Sequence, residues 1–353
     1  MRPRAWCGVL AAVALSATAC GGGGSKKSDD AGAATSDRAA FPVSVSDCAG
    51  TKTTFDAAPK RIVTSNAAAL ELLMWLGAGD KVAGTGFPPG KGTVPPQFAD
   101  QAAKVPVLGK KVIPKEKLLG SGADLYVDSF SSMKNMGGMG MAPTAEEFKG
   151  AGIKHVYLKS TACASMSKAA RTDLSGVEAD IEELGKVTGT SARAAELVAG
   201  MRKKTDAVRD ALKDVPDAKR PSYFFFDYDA GTKQPMAVCD RQVANAVITQ
   251  AGARNVFGDC AGDFKPVDWE SVVAKNPDWI QLGVRNRGSE EANRKAFDEA
   301  ADFLRTFPAT KDLKAVKEGH FLRIGSERTT IGGVRSADTV REIAHTVHPD
   351  RVK

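Results

Sequence analysis

Hydrophobic and polar positions along the chain fall into two periods. Short apolar runs of strand length alternate with longer stretches whose apolar residues recur three and four apart. One figure occurs twice: residues 112–127 read VIPKEKLLGSGADLYV and residues 264–280 read FKPVDWESVVAKNPDWI. In each, a glutamate (Glu116, Glu270) opens a short apolar segment, and an aspartate eight positions later (Asp124, Asp278) precedes a strand-like run. The preceding segments echo as well. Residues 70–84 (LELLMWLGAGDKVAG) and 246–258 (AVITQAGARNVFG) are each a helical run, a Gly-Ala break and a Val strand. The pattern predicts two similar lobes, each presenting one glutamate from the same position.

Taken in order, residues 41–58 alternate as a small hairpin with a turn at Asp47 and Gly50. A buried strand at 61–63 follows, then Asn66 as the N-cap of a helix that contains Glu71 and stops at Gly77. Next come a strand at 81–85, a Gly/Pro loop at 86–92, the first copy of the figure and a long Met/Gly loop. A helix and a strand at 155–160 close this half. Residues 175–213 lack proline and carry Val177, Ile181, Leu184, Val187, Leu197, Val198 and Met201 at helical spacing. This predicts a long spine helix with Gly189 as its point of breakage. After a polar linker at 217–221, the βαβ alternation repeats to the end. The expected fold class is therefore α/β: two lobes with central parallel-type sheets flanked by helices, joined by a spine helix. The expected division is an N-terminal lobe over 41–174, the spine over 175–216 and a C-terminal lobe over 217–353.

Composition alters this little. The 353 residues are 42% hydrophobic and 26% charged, a globular balance long enough for two cores. The net charge of +7 comes from scattered lysines and arginines rather than one basic stripe, which gives no support to nucleic acid as a partner.

The N-terminus changes the picture more. Residues 1–19 place Arg2 and Arg4 before an apolar run too short to span a bilayer, then small residues. The ending Thr18-Ala19-Cys20 resembles a bacterial lipobox, so Cys20 is the expected lipidation site and first mature residue, with Ala17 standing where that pattern more often has leucine. Residues 20–40, rich in Gly, Ser, Ala and charge, have nothing to bury and read as a flexible tether. The expectation is a lipid-anchored body at the extracytoplasmic face of the cell membrane.

Two lobes, a linking helix and this N-terminus resemble the periplasmic-type binding proteins of ABC importers for iron-siderophores, haem and vitamin B12. PKRIVTSNAAALELLMWLGAGDKVAG (59–84), KEKLLGSGADLYV (115–127), VDWESVVAKNPDWIQL (267–282) and FLRIGSERTTIGGVRSADTV (321–340) are similar to that family's segments, and the likeness runs over about 41–350. It implies that Glu116 and Glu270 dock on arginines of a permease, which works with its own ATPase, and that the protein is a monomer without cofactor or catalytic residue. A first-turn glutamate at a helix's positive end agrees with an exposed docking role. Lys115 and Asp268 depart from the family's usual flanking residues.

Ligands of such proteins sit at the loops after the strands' carboxyl ends. Those loops carry the aromatics Phe87, Phe130 and Tyr228, with Phe264 at a cleft position of the vitamin B12 binder, and the cations Arg285, Arg287, Arg328 and Arg335. Arginine forks suit anionic, oxygen-rich ligands. The order of expectation is a ferric siderophore first, a corrinoid second and haem third. Met133, Met136, Met139 and Met141 invite a soft-metal reading, but an apolar wall explains them as well. The histidines, His155, His320, His345 and His348, suggest no metal site. Outside the cytoplasm Cys48, Cys163, Cys239 and Cys260 are expected to pair, in one of three connectivities. Within two lobes, Cys48–Cys163 and Cys239–Cys260 are the pairs that leave a hinge free. The rival classes are an extracellular enzyme, for which no GxSxG, HExxH or P-loop pattern appears, and a lipid-anchored sensor, which would not need both glutamates.

Overall fold

A computed structural model describes residues 41–130 and 142–353. Cys20 and the four methionines 133, 136, 139 and 141 lie outside the described residues.

The N-terminal half opens with the expected hairpin, β1 (Val43–Ser46) antiparallel to β2 (Lys52–Phe55). It continues through β3 (Ile62–Thr64), α1 (Ala67–Trp75), β4 (Val82–Thr85), α2 (Ala99–Ala103), α3 (Lys115–Leu119), β5 (Leu125–Asp128), α4 (Ala145–Gly150), β6 (Lys154–Tyr157) and α5 (Lys159–Ala162). Strands β4-β3-β5-β6 form a parallel sheet in that order. Helices α6 (Ser175–Thr188) and α7 (Ser191–Ala211) lead to the second half. There β7 (Ser222–Asp227), β8 (Met236–Val238), α8 (Val243–Gln250), β9 (Arg254–Asn255), β10 (Phe264–Pro266), α9 (Trp269–Lys275) and β11 (Trp279–Gly283) come first. Then follow α10 (Glu290–Thr306), α11 (Lys314–Glu318), β12 (Phe321–Leu322), α12 (Ser326–Thr330) and α13 (Ser336–Val347). The second parallel sheet has the order β9-β7-β11-β12, the same winding as the first. An antiparallel ribbon of β8 and β10 stands apart.

The internal echo is therefore a structural repeat: β3, α1, β4, α3 and β5 correspond to β7, α8, β9, α9 and β11. Side chains alternate across each strand, so each sheet feeds two cores. Ile62, Leu125, Val127 and Tyr223 enter a central cluster with Ile181, Leu184, Val198, Met201, Val340 and Ile343. Val63, Tyr126 and Phe148 fill the outer face of the first sheet; Phe224, Phe226, Ile280, Leu282 and Trp269 fill that of the second. Burial on both faces is why these strands read as continuous apolar runs.

The spine departs from expectation. Gly189 does not merely kink one helix: it adopts φ +78°, the left-handed conformation a glycine takes at a helix C-terminus, and the chain reverses. Thr190 N–H donates to Gly185 C=O at 2.7 Å, and Arg202 Nε on α7 donates to Glu178 on α6 at 2.8 Å. A methyl group on Gly185 would lie 2.5 Å from Ala194 Cβ, so the two helices cross here in closer contact than any larger residue permits. Periodicity could not reveal this, because both arms keep the same apolar stripe for the same central core. His155 lies within β6, in line with the strand expected at 155–160.

Both expected cystine pairs are formed. Cys48–Cys163 ties the β1–β2 turn to the end of α5, and Cys239–Cys260 closes the base of the β8–β10 ribbon. Each stays within one lobe. Among the described residues no helix is long and apolar enough to cross a membrane.

Candidate functional site

The carboxyl ends of β3, β4 and β5 carry Asn66, Phe87 and Phe130 into adjacent loops. Asn66 caps α1, its Oδ1 accepting from Ala69 N–H at 2.9 Å. Phe87 is held in the left-handed region, φ 33°, where a bulky residue is strained. Two bonds hold it there: its N–H donates to Lys111 C=O at 2.9 Å and its carbonyl accepts from Ala67 N–H at 3.1 Å. Phe130 is set by Asp128, whose Oδ1 accepts the Phe130 N–H at 2.9 Å while Oδ2 lies 3.2 Å from His155 Nε2. The Phe87 and Phe130 rings stand 6.0 Å apart between centroids, forming one half-buried aromatic wall.

Tyr228, after β7, packs edge-on against Phe226 at 6.0 Å and belongs to the margin of the second lobe's core. Phe264 is the more exposed aromatic, 37% accessible, on the edge ribbon opposite Val238.

All four arginines are engaged by carboxylates of the chain. Arg285 Nη2 lies 3.3 Å from Asp227 Oδ2, and its backbone N–H donates to Asp229 at 2.6 Å. Arg287 pairs with Asp229. Burial pushes the Asp227 carboxyl up and the Arg285 charge opposes that push. Arg328 turns to α13, pairing with Glu342 at 2.7 Å. Arg335 crosses to the other lobe, where Nε and Nη2 reach the two oxygens of Glu71 and Nη2 also reaches Thr93 C=O at 2.8 Å. Sequence reasoning missed these partners; the Asp-x-Asp following β7 was the available signal for two of them. The lobes also meet where a methyl group on Gly90 would lie 2.7 Å from Asn286 Oδ1.

Glu116 and Glu270 sit in the first turns of α3 and α9, both exposed, with no side-chain partner among the described residues. Their neighbours serve the fold. Lys115 is paired with Glu147 on α4. Asp268 caps α9 by accepting from Ser271 N–H at 2.7 Å, and its bonds to Ser271 hold its carboxyl below the usual range. The second carboxylates of the figure match in role: Asp124 accepts the N–H groups of Lys60 and Arg61 at 2.7 and 3.0 Å, and Asp278 accepts Ser222 N–H at 2.8 Å. Each pins the start of the first strand in its lobe's parallel sheet, β3 and β7.

Comparison with known proteins follows the same outline. A family model described as periplasmic binding protein matches residues 62–327. A cobalamin-binding protein of Halobacterium salinarum is 28% identical over 292 residues, 81% of this chain and 71% of that one. An uncharacterized ABC transporter substrate-binding lipoprotein of Bacillus subtilis, YvrC, is 24% identical over 316 residues, covering 89% and 88%. Among solved structures, a periplasmic binding protein from Veillonella parvula superposes with a TM-score of 0.74 at 28% identity, covering 88% of this chain and 99% of that one.

Proposed function

The chain belongs to the periplasmic binding protein family, and from that premise we propose that it is the extracytoplasmic substrate-binding component of an ABC importer, delivering a metal chelate to its permease. The observation that carries this reading is the matched pair Glu116 and Glu270. Two exposed carboxylates occupy equivalent first turns in the two halves of a structural repeat, while Lys115 and Asp268 beside them are tied into the fold. The role needs no chemical step. Ligand enters between the lobes, the closed form docks, and ATP hydrolysis in the partner drives release. The division into lobes at 41–174 and 217–353 is supported by each four-stranded sheet falling within one range. Lipidation at Cys20 is supported by the lipobox-like ending and by the Bacillus relative being named a lipoprotein.

Within the chelate class, a corrinoid moves ahead of a ferric siderophore, with haem after both. An anionic chelate or a haem propionate must displace Asp227, Asp229, Glu342 or Glu71 from its arginine before gaining a cation. An amide-rimmed macrocycle needs no free charge, and the Halobacterium relative is named for cobalamin.

Reversing both charges, Glu116→Lys with Glu270→Lys, is expected to abolish uptake in cells while the purified protein keeps its affinity. Uptake that survives the double reversal sinks the docking assignment. Equilibrium dialysis against cyanocobalamin and a panel of ferric siderophores ranks the ligands.

A further inference from the structure

Asn66 does more than cap a helix. Its side chain is 4% exposed, and the Ala69 N–H it caps requires an acceptor, which places Oδ1 toward α1 and turns Nδ2 away from the helix. Ser129 Oγ also lies beside Oδ1, at 3.5 Å. Nδ2 itself has no hydrogen-bond partner among the described residues. A buried donor left unpaired costs stability, and serine or aspartate would cap α1 without one. Capping therefore explains the oxygen of this residue and leaves the nitrogen unexplained.

The position supplies a reason. Strand β3 lies between β4 and β5, so Asn66 emerges between the loops that carry Phe87 and Phe130. Phe87 is strained at φ 33°, an independent cost at the same place, and glycine would adopt that backbone freely. The nine-residue helix α1 adds the positive end of its dipole, which favours an oxygen partner. Two unfavourable local choices and a helix N-terminus converge on one spot at the carboxyl edge of the sheet.

We propose that Asn66 Nδ2 is a ligand-contacting donor, the polar element of a subsite walled by Phe87 and Phe130, and that it takes a neutral oxygen acceptor, such as an amide carbonyl, at the rim of the chelate. This rests on the importer reading and names the group of the ligand that the N-terminal lobe recognises. Nδ2 is covered in the present conformation, so the proposal requires that ligand binding uncover it.

Asn66→Ser and Asn66→Asp both keep a capping acceptor and remove the donor. With cyanocobalamin and the ferric trihydroxamate ferrioxamine B as probes, Asn66→Ser is expected to weaken whichever binds wild type by about tenfold. Asn66→Asp, which turns an acceptor toward an acceptor, weakens it further. Asn66→Ser does not lower Tm. Phe87→Gly also weakens binding, since it deletes a wall. Asn66→Ser binding within twofold of wild type overturns this subsite and leaves the importer reading standing. So does a large Tm loss in Asn66→Ser, which makes the residue purely structural. Wild type that binds neither probe overturns this subsite and leaves the importer reading standing.

Discussion

Arg335, at the start of α13 in the C-terminal lobe, grips Glu71 of the N-terminal lobe with both ends of its fork, at 2.7 Å from Nε and 2.5 Å from Nη2. Glu71 Oε1 also accepts from Trp75 Nε1 at 3.0 Å. The pair is well shielded, Glu71 being only 11% exposed in its side chain against 33% for Arg335. Arg335→Met strands a nearly buried carboxylate and is expected to cost about 2–3 kcal/mol in urea unfolding, between the values for exposed and buried pairs. Glu71→Gln keeps the indole acceptor and costs less. The double variant should lose less than the sum, and Trp75 emission should shift in every variant that moves Glu71. Additive losses would show that the bridge carries no coupling.

The two aspartates of the repeated figure predict a contrast with the two glutamates. Asp124→Ala frees two backbone N–H groups and is expected to cost about 1–2 kcal/mol. Asp278→Ala also loses the Ser222 hydroxyl and Lys314 at 2.6 Å, for about 2–3 kcal/mol. Replacing either glutamate by alanine should leave the unfolding midpoint within about 0.5 kcal/mol of wild type. Urea titration of the four single variants checks the pairing of roles.

Stability should fall from acid to neutral pH at one half-buried carboxyl beside the lobe junction. Burial pushes Asp263 from 3.8 up to about 6, with Arg171 opposing, and its Oδ1 has no partner among the described residues. The folded state thus binds the proton more tightly than the unfolded one. Its contribution is greatest below about pH 4, declines as pH rises to about 6 and is flat above. Asp180, also raised to about 6 by burial, adds the same slope. Asp263→Asn is expected to stabilise the protein by about 1–2 kcal/mol at pH 7.5 and by nothing near pH 4. A pH-independent effect in thermal or urea unfolding would contradict the assignment.

The two cystines should differ in worth. Cys48–Cys163 spans 115 residues and Cys239–Cys260 spans 21, so chain entropy assigns them about 5 and about 3 kcal/mol. Paired Cys→Ser variants compared in urea are expected to follow that order, and ligand affinity should survive both because neither bond links the lobes.

Alternation of strand and helix, the repeated glutamate and the Gly-Ala breaks determined the fold class, the two sheets and the exposed faces of α3 and α9. These properties are local: burial on both sides of a strand, a helix start, a left-handed glycine. The within-lobe cystines followed once the lobes were drawn. Tertiary structure alone decided which charges remain free. Arg335 and Glu71 are 264 residues apart, and Arg285 and Asp227 are 58 apart; no periodicity relates such partners, and an arginine in a cleft loop reads the same whether it awaits a ligand or holds a neighbour. The reversal at Gly189 and the unpaired nitrogen of Asn66 are of this kind. Each depends on what a second segment brings alongside, and that is set by the packing of the whole core rather than by the residues on either side.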